Sequence, residues 1–80
     1  MTPEEIIHAL DEVIAGDKPL DGWDYLVSVK HRDPFTNHWG AKCRELEHEF
    51  HVPGSHQLMS DAGVERLRNL RAELVASCQG

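Results

Sequence analysis

The sequence predicts a small, mostly all-α fold, a single bundle of three to four helices, with residues 23–30 open to a second reading as a short strand. Three observations carry this. Apolar residues recur at helical spacing in three separate stretches. Each of those stretches opens on a capping residue, in two cases followed at once by proline. Eighty residues, 40% of them hydrophobic, leave room for one domain with a modest core. No internal repeat, low-complexity tract or composition break divides residues 1–80.

The first helix is expected from about Pro3 to Ala15. Thr2-Pro3-Glu4-Glu5 has the form of a capping box, in which the Thr2 hydroxyl accepts from the backbone of Glu5 and the Glu5 carboxylate reaches back. Ile6, Ile7, Leu10, Val13 and Ile14 form a wide apolar stripe. Gly16 offers a C-terminal stop, and Asp17-Lys18-Pro19 completes the turn.

Residues 23–30 are ambiguous. Trp23, Tyr25, Val27 and Val29 alternate as in a strand, and their side chains favour one. Trp23, Leu26, Val27 and Lys30 also share a helical face, with Asp21 placed to cap it. A strand needs a partner, and no other stretch alternates; His51-Val52-Pro53 is short and contains a proline. A short helix is therefore preferred, with a strand paired across a dimer as the alternative.

The next helix is expected from Pro34 to about Phe50, capped by Asp33. Phe35, Trp39, Cys43, Leu46 and Phe50 follow one another at helical steps as a buried stripe. Gly40 inside it costs about 1 kcal/mol against alanine and is expected to admit another element beside Trp39. Val52-Pro53-Gly54 ends the helix. A last helix from about Asp61 to Ser77 is capped by Ser60 and turns Val64, Leu67, Leu70, Leu74 and Val75 inward, with Leu58 and Met59 as a hydrophobic staple or lid.

Fourteen Asp and Glu against eight Lys and Arg give a net charge of −6. Met1 to Asp24 contains seven acids (Glu4, Glu5, Asp11, Glu12, Asp17, Asp21 and Asp24) and one base, Lys18, so the whole excess lies there; the rest of the chain balances. An acidic chain opposes binding to nucleic acid or to an anionic membrane surface. Arg66, Arg68 and Arg71, with Lys42 and Arg44, form the only basic grouping, interrupted by Glu65 and Glu73, so a DNA-reading helix–turn–helix is not expected. Protonation of the six histidines would cancel the excess, so solubility should be lowest at mildly acidic pH. Met1-Thr2-Pro3-Glu4-Glu5 lacks the basic and apolar regions of a secretory leader, and two cysteines make no disulfide framework. A reducing, cytoplasmic setting is expected.

Several groups could carry chemistry. His48 and His51 stand three apart near a helix end, and His56 follows beyond a turn, with Glu45, Glu47 and Glu49 nearby; together they are a candidate metal site. The same histidines also suit a helix C-terminus as simple complements to its dipole. His31, Arg32, Asp33 and His38 could form a polar cluster, His38 half-buried, but neither Ser28 nor Thr36 lies in the turn a hydrolase nucleophile requires. Cys43 is expected to be buried and inert, Cys78 exposed, and the two unbridged. Trp23, Tyr25, Phe35 and Trp39 either fill the core around Gly40 or leave one ring exposed as a binding anchor.

The functional expectation is a small acidic protein-binding module without catalytic activity or cofactor, of the adaptor, inhibitor, immunity or antitoxin kind, acting as a monomer or weak homodimer. Its expected surface comprises Glu4, Glu5, Asp11, Glu12, Asp21, Trp23 and Asp24, the carboxylates steering a basic partner and Trp23 anchoring it. The alternative is a metal-binding protein built on His48, His51 and His56.

Overall fold

The computed structural model describes residues 1–16, 20–54 and 58–78. They form four helices: α1 (Pro3–Ala15), α2 (Asp21–Ser28), α3 (Pro34–Phe50) and α4 (Asp61–Cys78). Among the described residues there is no strand, so residues 23–28 take the helical of the two readings. No described helix is long and apolar enough to cross a membrane.

α1 and α3 begin where the sequence says they should, because their caps are local. Thr2 Oγ1 accepts from the Glu5 amide at 3.2 Å, and Glu5 Oε1 accepts from the Thr2 amide at 2.9 Å. Gly16 closes α1 at φ 77°, a left-handed conformation that favours glycine. Asp33 caps α3 by accepting from the amides of Phe35 and Thr36, both at 3.3 Å. Ser60 Oγ accepts from the Gly63 amide at 3.3 Å at the start of α4. α2 is the exception. Its N-cap residue is Leu20, which offers no side-chain acceptor, and Asp21 lies within the first turn instead of capping it.

The helices pack in a ring. α1 lies against α2 and α4, and α3 lies against α2 and α4. Ile6, Leu10 and Val13 of α1 meet Trp23, Leu26 and Val27 of α2, Trp39 and Cys43 of α3, and Leu67, Leu70 and Leu74 of α4, with Met59 entering from the connection before α4. The expected stripes are the observed ones, with Ile7, Ile14, Phe35, Leu46, Phe50 and Val64 partly covered at their edges, except that Val75, expected inward, is half-buried outside the core cluster. Thr36 is the one fully buried polar residue among those described, and its hydroxyl lies 2.7 Å from Asp33 Oδ2 and 3.0 Å from the Met1 carbonyl oxygen.

Two glycines set how closely the helices approach. A Cβ on Gly40 would stand 2.7 Å from the Leu26 carbonyl oxygen, so α2 and α3 touch backbone to backbone beside Trp39, as its position in the stripe implies. A Cβ on Gly63 would stand 2.5 Å from Phe50 Cβ, where the start of α4 packs on the end of α3. The Ser60 amide donates to the Phe50 carbonyl at 2.9 Å at that same junction.

Alanine at position 40 gains helix propensity yet must push the Leu26 carbonyl away. Gly40→Ala is expected to destabilise by about 1–3 kcal/mol, the usual cost of overpacking, read as a lower Tm in far-UV circular dichroism. A higher Tm would mean that α2 and α3 are not in backbone contact.

The caps also predict an acid limb. Hydrogen bonds from the Thr36 hydroxyl and from the amides of Phe35 and Thr36 hold the Asp33 carboxyl below its ordinary value, and those from Thr2 do the same for Glu5. The unfolded chain then binds more protons, so this stabilisation is complete above the ordinary carboxylate range of about pH 4 and is lost as pH falls through the lower, folded values. Asp33→Asn should flatten that part of a stability-versus-pH curve; an unchanged slope would remove Asp33 from it.

Candidate functional site

The seven residues of the expected acidic surface fall into separate groups. Glu4, Glu5 and Glu12 line a shallow groove between α1 and α2, together with Met1, His8 and Gly22. Glu4 is exposed, Glu5 is held in the capping box, and Glu12 lies 3.5 Å from His8 Nε2 one helical turn away. Asp21 and Asp24 are exposed on the outer side of α2. Helical periodicity produces that arrangement: positions 23, 26 and 27 face the core, while 21, 24, 25 and 28 face outward.

Asp11 and Trp23 do not belong to this surface. Asp11 faces α4, where Arg71 donates to it through both Nε and Nη2, the latter at 3.3 Å. The Asp11 carboxylate tightens the hold of the Arg71 guanidinium on its proton, and the pair closes the ring between α1 and α4. Trp23 is 0% exposed. Its indole N–H donates to Glu47 Oε1 at 3.1 Å, so both its apolar face and its one polar atom are committed inside the fold. The expected Trp23 anchor is therefore corrected: burial removes it from any partner's reach.

Tyr25 takes the exposed position. It is 53% exposed and meets the His31 ring edge-on at 5.2 Å between centroids. Val29, just past the end of α2, is 41% exposed.

Of the expected metal site, His48 and His51 lie among the described residues. His48 and His51 are both exposed and border one depression with Arg44, Glu47 and Leu58. His51 is the C-cap residue of α3, with φ −61° still helical and ψ 134° extended, so its side chain leaves the helix end one turn from His48 and the chain departs only after it. No three His, Cys, Asp or Glu side chains converge as metal ligands among the described residues, and His56 lies outside them, as does the turn Asp17-Lys18-Pro19. His38 is exposed and stands edge-on to Trp39 at 5.2 Å, where a half-buried ring was expected. The ring on Trp39 covers it on one side only.

Sequence reasoning gives no contact with α2 to His31, Arg44 or Glu47, yet all three serve that helix. His31 Nε2 donates to the Leu26 carbonyl at 3.1 Å, which requires the proton on that nitrogen. Arg44 Nε donates to the Val27 carbonyl at 2.8 Å. A cationic side chain from α3 thereby sits at the C-terminal end of α2, where the helix dipole favours it. No local signal near α2 announces either contact. Two of the remaining basic groups are interleaved with acids: Lys42, Glu45 and Glu49 of α3 line one groove with Arg66 and Glu73 of α4.

Cys43 is fully buried and Cys78 is exposed; both are free thiols. Burial, helped by the Glu47 carboxylate, pushes the Cys43 thiol up to about 12. Compared with protein families, with curated proteins and with solved structures, the chain has no match.

A thiol-specific disulfide reagent at neutral pH should therefore modify Cys78 quickly in the folded protein and reach Cys43 only on unfolding. Prompt modification of Cys43 in the native state would place that thiol outside the core.

Proposed function

We propose that this chain is a small protein-binding module, without catalytic activity of its own, that presents the α1–α2 face to a basic protein partner. The observation that carries the reading is that Glu4, Glu5, Glu12, Asp21 and Asp24 collect around the α1–α2 groove and the adjoining outer side of α2, where Tyr25 stands exposed. Among the described residues the only cation ion-paired to any of these five is the His8 imidazole, neutral unless protonated. Unneutralised carboxylates on one face steer a basic partner over a range of about 8 Å at physiological salt. Tyr25, half exposed and braced by His31, supplies the apolar contact that steering alone lacks.

A binding role is also favoured by the state of the reactive side chains. The Cys43 thiol stays protonated in the core, and the Thr36 hydroxyl is buried beside Asp33. The free thiols are compatible with a reducing cytoplasm, and adaptors, inhibitors and immunity or antitoxin proteins act through surfaces of this kind. The bundle is expected to act as a monomer or weak homodimer.

The test uses a lysine-rich peptide as probe. Resonance changes in a titration of the labelled protein should concentrate on α1 and α2, and binding should weaken as salt rises. Glu4→Lys with Asp24→Lys should reduce affinity about tenfold or more with the far-UV spectrum unchanged, while Glu65→Lys on exposed α4 should have little effect. Equal losses from all three substitutions, or resonance changes centred on α3 and α4, would overturn the reading.

A further inference from the structure

The five described glycines divide by what they do for the fold. Gly16 and Gly54 have φ of 77° and 76°, which favours glycine. Gly40 and Gly63 lie where a Cβ would collide with the Leu26 carbonyl and with Phe50. Gly22 meets neither condition. It lies in the first turn of α2 with no positive φ, and a Cβ there would stand 3.4 Å from Ala9 Cβ and 3.5 Å from Glu12 Oε1, ordinary contact distances. The fold tolerates a side chain at this position, and an eight-residue helix without a side-chain cap would gain from one. A local preference broken with no structural return is the mark of a functional position.

Gly22 provides space. The groove it opens is lined by Met1, Glu4, Glu5, His8 and Glu12, with Glu12 Oε1 close to where a side chain at position 22 would begin. Glu5 is engaged by the Thr2 amide and Glu12 by His8, which leaves Glu4 as the lining carboxylate without an ion-pair partner among the described residues. A groove that offers both an aliphatic side chain, Met1, and carboxylates matches a long aliphatic stem with a cationic head.

We propose that the Gly22 groove is a socket for a lysine side chain of the basic partner, its stem lying over Gly22 and Met1 and its ammonium reaching Glu4. This rests on the α1–α2 face being the binding surface and specifies where on that face recognition occurs. A purely apolar side chain would leave the carboxylates unmatched, and a bare cation would leave Met1 and Gly22 uncovered.

The experiment compares Gly22→Ala and Gly22→Leu with the unmodified protein, using the same lysine-rich peptide and a version in which every lysine is acetylated. Gly22→Ala should melt no lower than the parent yet bind several-fold more weakly, and Gly22→Leu should abolish binding. The acetylated peptide should bind none of them. In the unmodified protein the Gly22 amide and the Met1 methyl should show the largest shifts on titration, a reading that needs no variant to fold. Undiminished binding by Gly22→Leu, or shifts confined to Asp24 and Tyr25, would overturn the socket; if Glu4→Lys with Asp24→Lys still abolished binding, the acidic-face reading would stand without it. Undiminished binding by both sets of variants would overturn both.

Discussion

The contact between the Leu26 carbonyl and Gly40 is the constraint on which the rest of the bundle depends. An eight-residue helix does not hold itself together in water, because the cost of its first turn is spread over too few hydrogen bonds. α2 persists because its neighbours finish it. Gly40 lets α3 approach to backbone contact, and that proximity brings Arg44 to the Val27 carbonyl and Glu47 to the Trp23 indole. His31 satisfies Leu26 from the connection that follows. With α2 docked, Trp23 and Leu26 fill the middle of the core; without it, α1 and α3 would expose the surfaces that those side chains cover.

The same dependence explains which parts of the fold were legible. Thr2 with Glu5, Asp33 with Thr36 and Ser60 with Gly63 are pairs three residues apart, so the beginnings of α1, α3 and α4 are written in short stretches of chain. What holds α2 in place lies elsewhere, in Gly40, Arg44 and Glu47, between 14 and 24 residues beyond the atoms they serve. Local pattern alone left Trp23, Tyr25, Val27 and Val29 reading equally well as a strand. That ambiguity carried into the binding surface. In a strand, 23 and 25 share a face; in a helix they point apart, and here Trp23 enters the core while Tyr25 meets solvent.

The acidic N-terminal third was visible from composition, but composition treats all carboxylates alike. Asp11 is spent on Arg71, sixty residues away in sequence, and Glu5 on the cap of its own helix. Glu4, Asp21 and Asp24 remain exposed, and charge counting could not separate them from Asp11 because the pairing exists only once α4 has closed onto α1. Of the histidines that suggest a metal site, His48 and His51 border one depression as their spacing implies, no third ligand joins them among the described residues, and His56 lies outside those.

Placing the proposed binding surface on α2 has a physical consequence. The helix that presents Asp21, Asp24 and Tyr25 is the least self-sufficient of the four, so its order is supplied by α1 and α3 while its outer side stays free. A partner gripping that outer side meets a surface already fixed by Trp23, Leu26 and Val27 beneath it and pays little of the ordering entropy that a free helix of this length would demand. Carboxylates in the first turn of α2 also lie at the positive end of its dipole, which stabilises them without an internal cation to neutralise them. The bundle can therefore hold unpaired negative charge on one edge because the backbone of α2 offsets part of its repulsion, and it leaves that charge free for a ligand of opposite sign.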